Sequence, residues 1–477
     1  MTFSDPLFLF GFLPIFLILY YLISDRFYNI LIIGAGILFY SSGERKFLWV
    51  LLFSTLVNFA YGVAIEYWGW DRNSSGDKRR RSASLLLTAG VVVNLAVLFY
   101  FKYFNFLFEN GTALLRFSGV DAAERSFQIT LPLGVSFFTF QGISYLVDVF
   151  RGDVRPTRSL VRFSAYKLLF PQLIAGPIVR YAEISNEVVE RTVSPALATE
   201  GVRRFVIGLS KKVLLADTFA LAADGIFGAD AGSLSLAAMW LGAICYALQL
   251  YFDFSAYSDM AIGLGRMMGF HYPENFNYPY AATSIRDFWR RWHMTLTRWF
   301  KDYVYIPLGG NRSGRRRTYI NLLCVFLLTG LWHGAAWTFV VWGLWHGLFM
   351  MFERRFDPDR WRLPMTLMRL YTLLVVVIGW VLFRSSSLAD AVARLECLVG
   401  LGASAPTRVF GEFFTPVLGI ALVFGTALCG PLAPWLCERL HPHLRPVSAF
   451  AVLAPFFLLA ATKAGVGSYS PFLYFRF

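Results

Sequence analysis

The sequence predicts an all-α, polytopic membrane protein, and three observations carry that expectation. Of 477 residues, 57% are hydrophobic and 16% charged, against about 45–50% and 25% in soluble globular domains. The mean hydropathy is +0.53. The apolar residues gather into runs of span length, and the basic residues behind the formal charge of +14 cluster in short loops between those runs, as Lys and Arg do on the cytoplasmic side of a membrane. Spread over a polar surface, such a charge would suggest nucleic acid; here the expected partner is an anionic lipid bilayer, and no nucleic acid. No polar linker is long enough to separate domains, so residues 1–477 read as a single membrane-embedded domain.

In chain order, apolar runs at 7–23, 28–41, 47–66 and 85–108 read as the first spans, the second shortened and carrying Gly34 and Gly36. The N-terminal run lacks a positive n-region and an A-x-A-like cleavage site, so it is expected to stay attached as a span. The basic loop 71–81 marks the cytoplasm, a more neutral loop at 109–127 falls outside, and 131–150 returns to Arg151, Arg155, Arg158 and Arg162. Residues 163–180 are apolar but broken by Lys167, Pro171, Gly176 and Pro177. They predict a re-entrant element, tolerated where protein covers its backbone. Residues 200–228 carry Arg203, Arg204, Lys211 and Lys212 among aliphatics and either lie along the interface or cross it. The next span, 234–264, holds Asp253 and Asp259, which pair with Arg266 or another buried base, or serve the chemistry. Spans at 365–384, 414–430 and 447–462 read as scaffold, with Arg384 their one polar inclusion. The five cysteines are scattered, mostly in apolar segments, without a C-x-x-C pair, so neither a disulfide framework nor a zinc site is expected.

The stretch Gly330–Gly347, GLWHGAAWTFVVWGLWHG, lies between the basic loops 311–317 and 354–362. Two short crossings of roughly 17–25 residues fit between them as a hairpin. Counted from Ile320 at about 1.5 Å per residue, His333 lies roughly 20 Å along its helix, at hydrocarbon depth. An imidazole there either hydrogen-bonds a neighbouring helix or works. Burial penalises its charged form, so a neutral ring competent as a general base is expected. Gly330 with Gly334, and Gly343 with Gly347, have the spacing that lets helix backbones meet closely. The tryptophans 332, 337, 342 and 345 serve as interfacial anchors or line a slot.

Upstream, SIRDFWRRWHMTLTRWFKDYVYIPLGG at 284–310 begins with Ser284 and Asp287 in a capping-box-like arrangement. A continuous helix would place Arg286, Arg290, His293, Thr297 and Lys301 on one face and Phe288, Trp292, Leu296 and Trp299 on the other. That pattern predicts an amphipathic helix at the cytoplasmic interface, either as a surface anchor or as the entry of a phosphate-bearing donor.

These residues carry a resemblance. YFDFSAYSDMAIG at 251–263, NFNYPYAATSIRDFWRRWHMTLTRWFKDYVYIPLGGNR at 275–312, GLWHGAAWTFVVWGLWHG at 330–347 and the terminal SPFLYFRF at 470–477 resemble the membrane-bound O-acyltransferases (MBOAT), within them the bacterial alginate O-acetyltransferase branch. The resemblance implies an MBOAT-like bundle of about eleven or more membrane helices in the bacterial inner membrane, with re-entrant and interfacial pieces around a tunnel. It places the buried catalytic histidine on His333 and the second active-site position on His293. Arg286, Arg290, Trp332, Trp337, His346, Asp253 and Tyr257 complete the candidate substrate-binding set. The implied donor substrate is acetyl-CoA, with no bound cofactor and no metal, and the acetyl group passes to a periplasmic polysaccharide acetyltransferase partner. Thiol relay is disfavoured, since Cys324 sits nine residues from His333 on the opposite helix face with nothing basic beside it. Two rivals remain. One is D-alanyl transfer from a carrier protein to teichoic acid; the other is a transporter or channel whose path is lined by Asp253, Asp259, His333 and His346.

Overall fold

A computed structural model describes residues 1–69, 76–119, 129–402, 406–432, 435, 439 and 444–466. The terminal SPFLYFRF motif, Cys437 and parts of the loops at 71–81 and 109–127 lie outside the described residues. Among the described residues the chain is helical, without a β-strand. The helices are α1 Leu13–Leu22, α2 Tyr28–Glu44, α3 Leu48–Gly69, α4 Gly76–Leu98, α5 Phe104–Phe117, α6 Val135–Arg151, α7 Leu160–Lys167, α8 Tyr181–Val189, α9 Pro195–Ser210 and α10 Asp217–Gly228. They continue with α11 Leu236–Met267, α12 Ile285–Arg291, α13 Met294–Phe300, α14 Gly314–His333, α15 Trp337–Arg355, α16 Met365–Arg384, α17 Leu388–Leu398, α18 Phe410–Phe413, α19 Pro416–Leu428 and α20 Leu444–Gly465. Among the described residues, four helical stretches are long and apolar enough to cross a membrane: Asp25–Trp68, Arg80–Phe117, Leu236–Met267 and Met365–Arg384.

Chain contacts divide the protein into two compact units. The first comprises Leu7–Thr199 with Leu264–Pro273. Here α2 is a full 17 residues, longer than its apolar run. Gly36 explains why a glycine sits in it: a Cβ there would lie 1.9 Å from the carbonyl oxygen of Leu168, so only glycine lets the backbones meet. The partner segment is the irregular chain after α7, where a single 3₁₀ turn at Phe170–Gln172 and an extended run lead to α8. From Phe163 to Val179 nearly every residue is buried, which covers backbone that no helix satisfies. Two loop boundaries need correction. The basic residues of the 71–81 loop enter α4, and the loop expected at 109–127 is helical as far as Phe117, because FENGTALLRF continues α5 instead of turning.

The second unit comprises Thr2–Pro6, Glu200–Gly263 and Glu274–Phe477. Between α9 and α10 the chain widens into a π-helical turn at Lys211–Ala216. Such turns aim side chains that a regular helix would not; here the turn carries Lys211 and Lys212 to the carboxylates of Asp259 and Asp253 on α11, each at 2.7–2.8 Å. The close approach of α9 and α11 is set by Gly208, whose Cβ would meet the Ala256 oxygen at 2.7 Å, and by Gly263, whose Cβ would meet the Gly201 oxygen at 2.6 Å.

The segment 284–303 corrects the sequence expectation most. It is two seven-residue helices, α12 and α13, broken at Trp292 and His293, with His293 in the left-handed region at φ 42°. The continuous basic face drawn through Arg286, Arg290, His293, Thr297 and Lys301 therefore does not form. Neither Gly nor Pro marks the break, because its cause is a tertiary contact.

Candidate active site

The site grows from the α14–α15 hairpin. The two helices touch backbone to backbone: a Cβ on Gly330 would lie 2.2 Å from the Phe339 oxygen, and one on Gly343 2.4 Å from the Phe326 oxygen. Glycines at this crossing bring the backbones into direct contact, an arrangement that packing in membranes favours. One turn beyond Gly330, α14 ends at His333, and extended Gly334 turns the chain towards α15. The His333 ring is buried in an aromatic surround: Trp342 and Phe383 stand edge-on at 5.2 Å, and its neighbour Trp332 at 4.9 Å.

His293 approaches the same place from the α12–α13 break. Its ring packs at 4.6 Å against Phe254 of α11 and at 6.1 Å against Trp332, the residue next to His333. Asn275 holds it. The backbone oxygen of Asn275 accepts the Met294 N–H at 2.9 Å, and its side-chain Oδ1 accepts the Thr295 N–H at 3.3 Å and the Thr295 hydroxyl at 2.9 Å. Those are the first amides of α13, which have no helical partner of their own and usually take a cap from the preceding residue. Here the cap comes from 18 residues upstream. The same Oδ1 lies 3.0 Å from His293 Nδ1, while Asn275 Nδ2 donates to Ser258 Oγ at 3.1 Å. His293 Nε2 is buried and has no hydrogen-bond partner among the described residues. Burial first, and the neighbouring His333 second, hold the His293 ring well below the ordinary imidazole range, so it is neutral near pH 7.

His346, the third histidine of the segment, lies in the wall of this surround. Its ring stacks on Phe288 at 6.4 Å and meets Trp289 and Trp342 edge-on at 5.1 Å. Neither ring nitrogen has a hydrogen-bond partner among the described residues. Gly379 of α16 makes the room, since a Cβ there would sit 2.8 Å from His346 Nε2. Trp342, flanked by both His333 and His346 at 5.1–5.2 Å, couples the two positions through packing.

The remaining candidates divide by surroundings. Trp332 is buried between the two histidine rings, whereas Trp337 is 52% exposed, as an anchor would be. Arg286 is held by acids: it pairs with Asp357, and its Nε lies 3.7 Å from Glu353, whose fully buried carboxylate accepts the Ile285 and Arg286 amides at 2.6 and 2.9 Å. Arg290 on the same helix is exposed and has no ion pair among the described residues. Asp253 pairs with Lys212 at 2.8 Å, and Lys212 also reaches Asp217 at 2.8 Å; Asp259 takes Arg204 and Lys211, both at 2.7 Å. The bases beside these carboxylates are thus buried Lys212 and half-buried Lys211 and Arg204. Tyr257, also on α11, stacks on Phe3 at 4.4 Å. Among the described residues, no group of three or more His, Cys, Asp or Glu side chains could hold a metal ion.

Sequence reasoning passed over Asn275, Glu353 and α16. Glu353 had a signal, being an acid at the end of an apolar run. Asn275 had none beyond its place at the head of a quoted motif. Trp380 and Phe383 of α16, read as scaffold, pack on Trp342 at 5.8 and 5.2 Å.

Comparison with known proteins bears on this arrangement. The sequence profile of MBOAT, the membrane-bound O-acyltransferase family, matches residues 35–385. A probable alginate O-acetylase of Pseudomonas putida is 39% identical over 504 residues, covering 100% of both chains. One from Azotobacter vinelandii is 46% identical over 405 residues, 84% of this chain and 79% of that protein. A peptidoglycan O-acetyltransferase of Helicobacter pylori is 37% identical over 438 residues, 84% and 80% of the two chains. The matched region contains both histidines, the hairpin that carries His333 and the Asn275 that holds His293.

Proposed function

Because the chain belongs to the membrane-bound O-acyltransferase family, we propose that this membrane O-acyltransferase takes acetyl from acetyl-CoA on the cytoplasmic side and delivers it for O-acetylation of an extracytoplasmic polysaccharide. The observation that carries the reading is the meeting of His293 and His333 on either side of Trp332, with His293 Nε2 buried and without a hydrogen-bond partner among the described residues. Two imidazoles in a buried aromatic surround are suited to moving one proton. In the proposed step, His333 takes the proton of an acceptor hydroxyl as the oxygen attacks the thioester carbonyl. The C–S bond then breaks, and the departing coenzyme A thiolate recovers the proton from the imidazolium. A general base is worth about 10²–10⁴-fold.

Relatives that cover most of the chain are named for acetyl transfer to alginate or peptidoglycan, which favours acetyl over D-alanyl. The acceptor is then a periplasmic polysaccharide acetyltransferase partner, and the protein is a multi-pass resident of the bacterial inner membrane with about eleven or more membrane helices in one domain. Buried charges that would line an ion path are instead paired on α11, which speaks against a channel. The test is acetyl-CoA turnover by purified protein reconstituted with its partner. His333→Ala is expected to lower turnover by about 10²–10⁴-fold. Unchanged turnover would refute the role of His333, and activity with carrier-bound D-alanine but not with acetyl-CoA would refute the donor.

A further inference from the structure

We propose that Asn275 is a positioning residue that locks His293 in the Nδ1–H tautomer, so that Nε2 meets the substrate as a hydrogen-bond acceptor. The inference deepens the acyl-transfer reading and rests on it for its kinetic consequence only; the tautomer follows from the hydrogen bonds alone.

An asparagine side chain offers an oxygen that accepts and an NH₂ that donates, and the two ends are told apart by their partners. At Asn275 the partner that decides is the Thr295 backbone N–H, which can only donate and lies 3.3 Å from the side-chain end assigned as Oδ1. Reversing the amide would set NH₂ against N–H. The other end faces the Ser258 hydroxyl at 3.1 Å, which accepts. With the orientation fixed, the atom 3.0 Å from His293 Nδ1 is an acceptor, and Nδ1 must carry the proton. In a neutral ring the other nitrogen then holds a lone pair. That nitrogen, Nε2, is the buried one with no hydrogen-bond partner among the described residues, on a ring whose centroid lies 6.1 Å from that of Trp332.

Two consequences follow. Neutral His293 does not donate to a developing oxyanion; it receives an O–H or N–H of the bound substrate and so orients it towards His333. Asn275 also cannot be replaced by any residue that merely fills its volume, since Leu would remove the oxygen that the Nδ1–H, Thr295 N–H and Thr295 hydroxyl share.

The experiment uses full-length protein in lipid nanodiscs with ¹⁵N-labelled histidine. The sequence has six histidines, and the His293 resonances are assigned by their loss in His293→Asn. Wild type is expected to show the Nδ1–H form of His293. Asn275→Asp, which keeps an acceptor at Nδ1, should retain that form and most of the turnover. Asn275→Leu should populate the Nε2–H form and lower kcat by on the order of 10²-fold or more, as loss of an imidazole's orienting acceptor does, with KM for the donor little changed. An Nε2–H signature in wild type overturns the proposal outright, even if no variant folds. So does an unchanged His293 signature in folded Asn275→Leu. Failure of the acyl-transfer reading would show differently, as absent acetyl-CoA turnover in wild type with the Nδ1–H signature intact.

Discussion

Replacing Gly330 by Ala adds one methyl group at the place where α14 and α15 touch. That methyl would lie 2.2 Å from the Phe339 oxygen and 3.1 Å from its carbonyl carbon, both backbone atoms of the facing helix. A backbone carbonyl inside a helix cannot swing away as a side chain can. Restoring an ordinary contact of about 3.4 Å requires the helices to part by roughly 1 Å, and an overpacked contact of this kind costs about 1–3 kcal/mol. His333 is three residues along the same helix, so the displacement reaches the proposed base. A misplacement of that size costs about 10²-fold in rate. Gly330→Ala and Gly343→Ala, the latter with its methyl 2.4 Å from the Phe326 oxygen, should therefore lose about 10²-fold in acetyl-CoA turnover per folded molecule. Gly347→Ala is the control, because its nearest neighbours are the side-chain atoms Leu323 Cδ2 and Phe326 Cβ at 3.2 Å, which can yield by a few tenths of an ångström. Turnover and thermal unfolding are read on the same detergent-purified samples. If Gly330→Ala turned over within about twofold of wild type, the hairpin would not be what sets His333.

Other substitutions separate structure from chemistry. Lys212→Met removes the ammonium that lies 2.8 Å from each of the buried Asp217 and Asp253 carboxylates; breaking these buried pairs should cost about 3–5 kcal/mol and lower the yield of folded protein. Asp253→Asn leaves the Lys212–Asp217 pair standing and should keep turnover per folded molecule; a stable but inactive variant would return Asp253 to the chemistry. Arg286→Gln, which breaks the contacts to Glu353 and Asp357, should lower the unfolding temperature without raising KM for the donor. Arg290→Gln should do the reverse, and equal effects in both assays would dissolve the distinction. His293→Asn should fold at least as well as wild type, since Asn tolerates the left-handed backbone, while losing turnover; a lower unfolding temperature would show that the ring itself holds the break together.

The parts of this molecule that were legible in the sequence are those governed by local rules. Gly330 and Gly343 could be read because close helix contact demands small residues at a fixed spacing. The broken stretch at 163–180 could be read because Pro171 and Pro177 cannot continue a helix. Ser284 was found as the cap of α12, and its hydroxyl accepts the Asp287 N–H at 3.0 Å. Pairings across the chain left no such trace. Nothing near Asp253 names Lys212 as its partner, because the π-helical turn that brings the lysine round is set by packing between α9 and α11. Glu353 is 68 residues from the Ile285 amide it caps, and the wall that α16 supplies depends on how helices stack, which a hydropathy run does not encode.

The break at His293 shows how a local rule can be overruled by contacts from another part of the chain. Residues 284–303 carry a good helical pattern, and continuing it would have satisfied the Met294 and Thr295 amides without help. A left-handed residue other than glycine costs about 1–2 kcal/mol. The three contacts that Asn275 makes to the start of α13 offset this at about 0.5–1.5 kcal/mol each, so the broken form gains little stability over the helix it replaces. What it changes is direction. In an unbroken helix His293 would share the face of exposed Arg290; with the break, its ring turns inward to Phe254 and Trp332. A strained backbone with so small a net gain, aiming a ring at the place where a second histidine waits, fits the role proposed for His293 in the reaction.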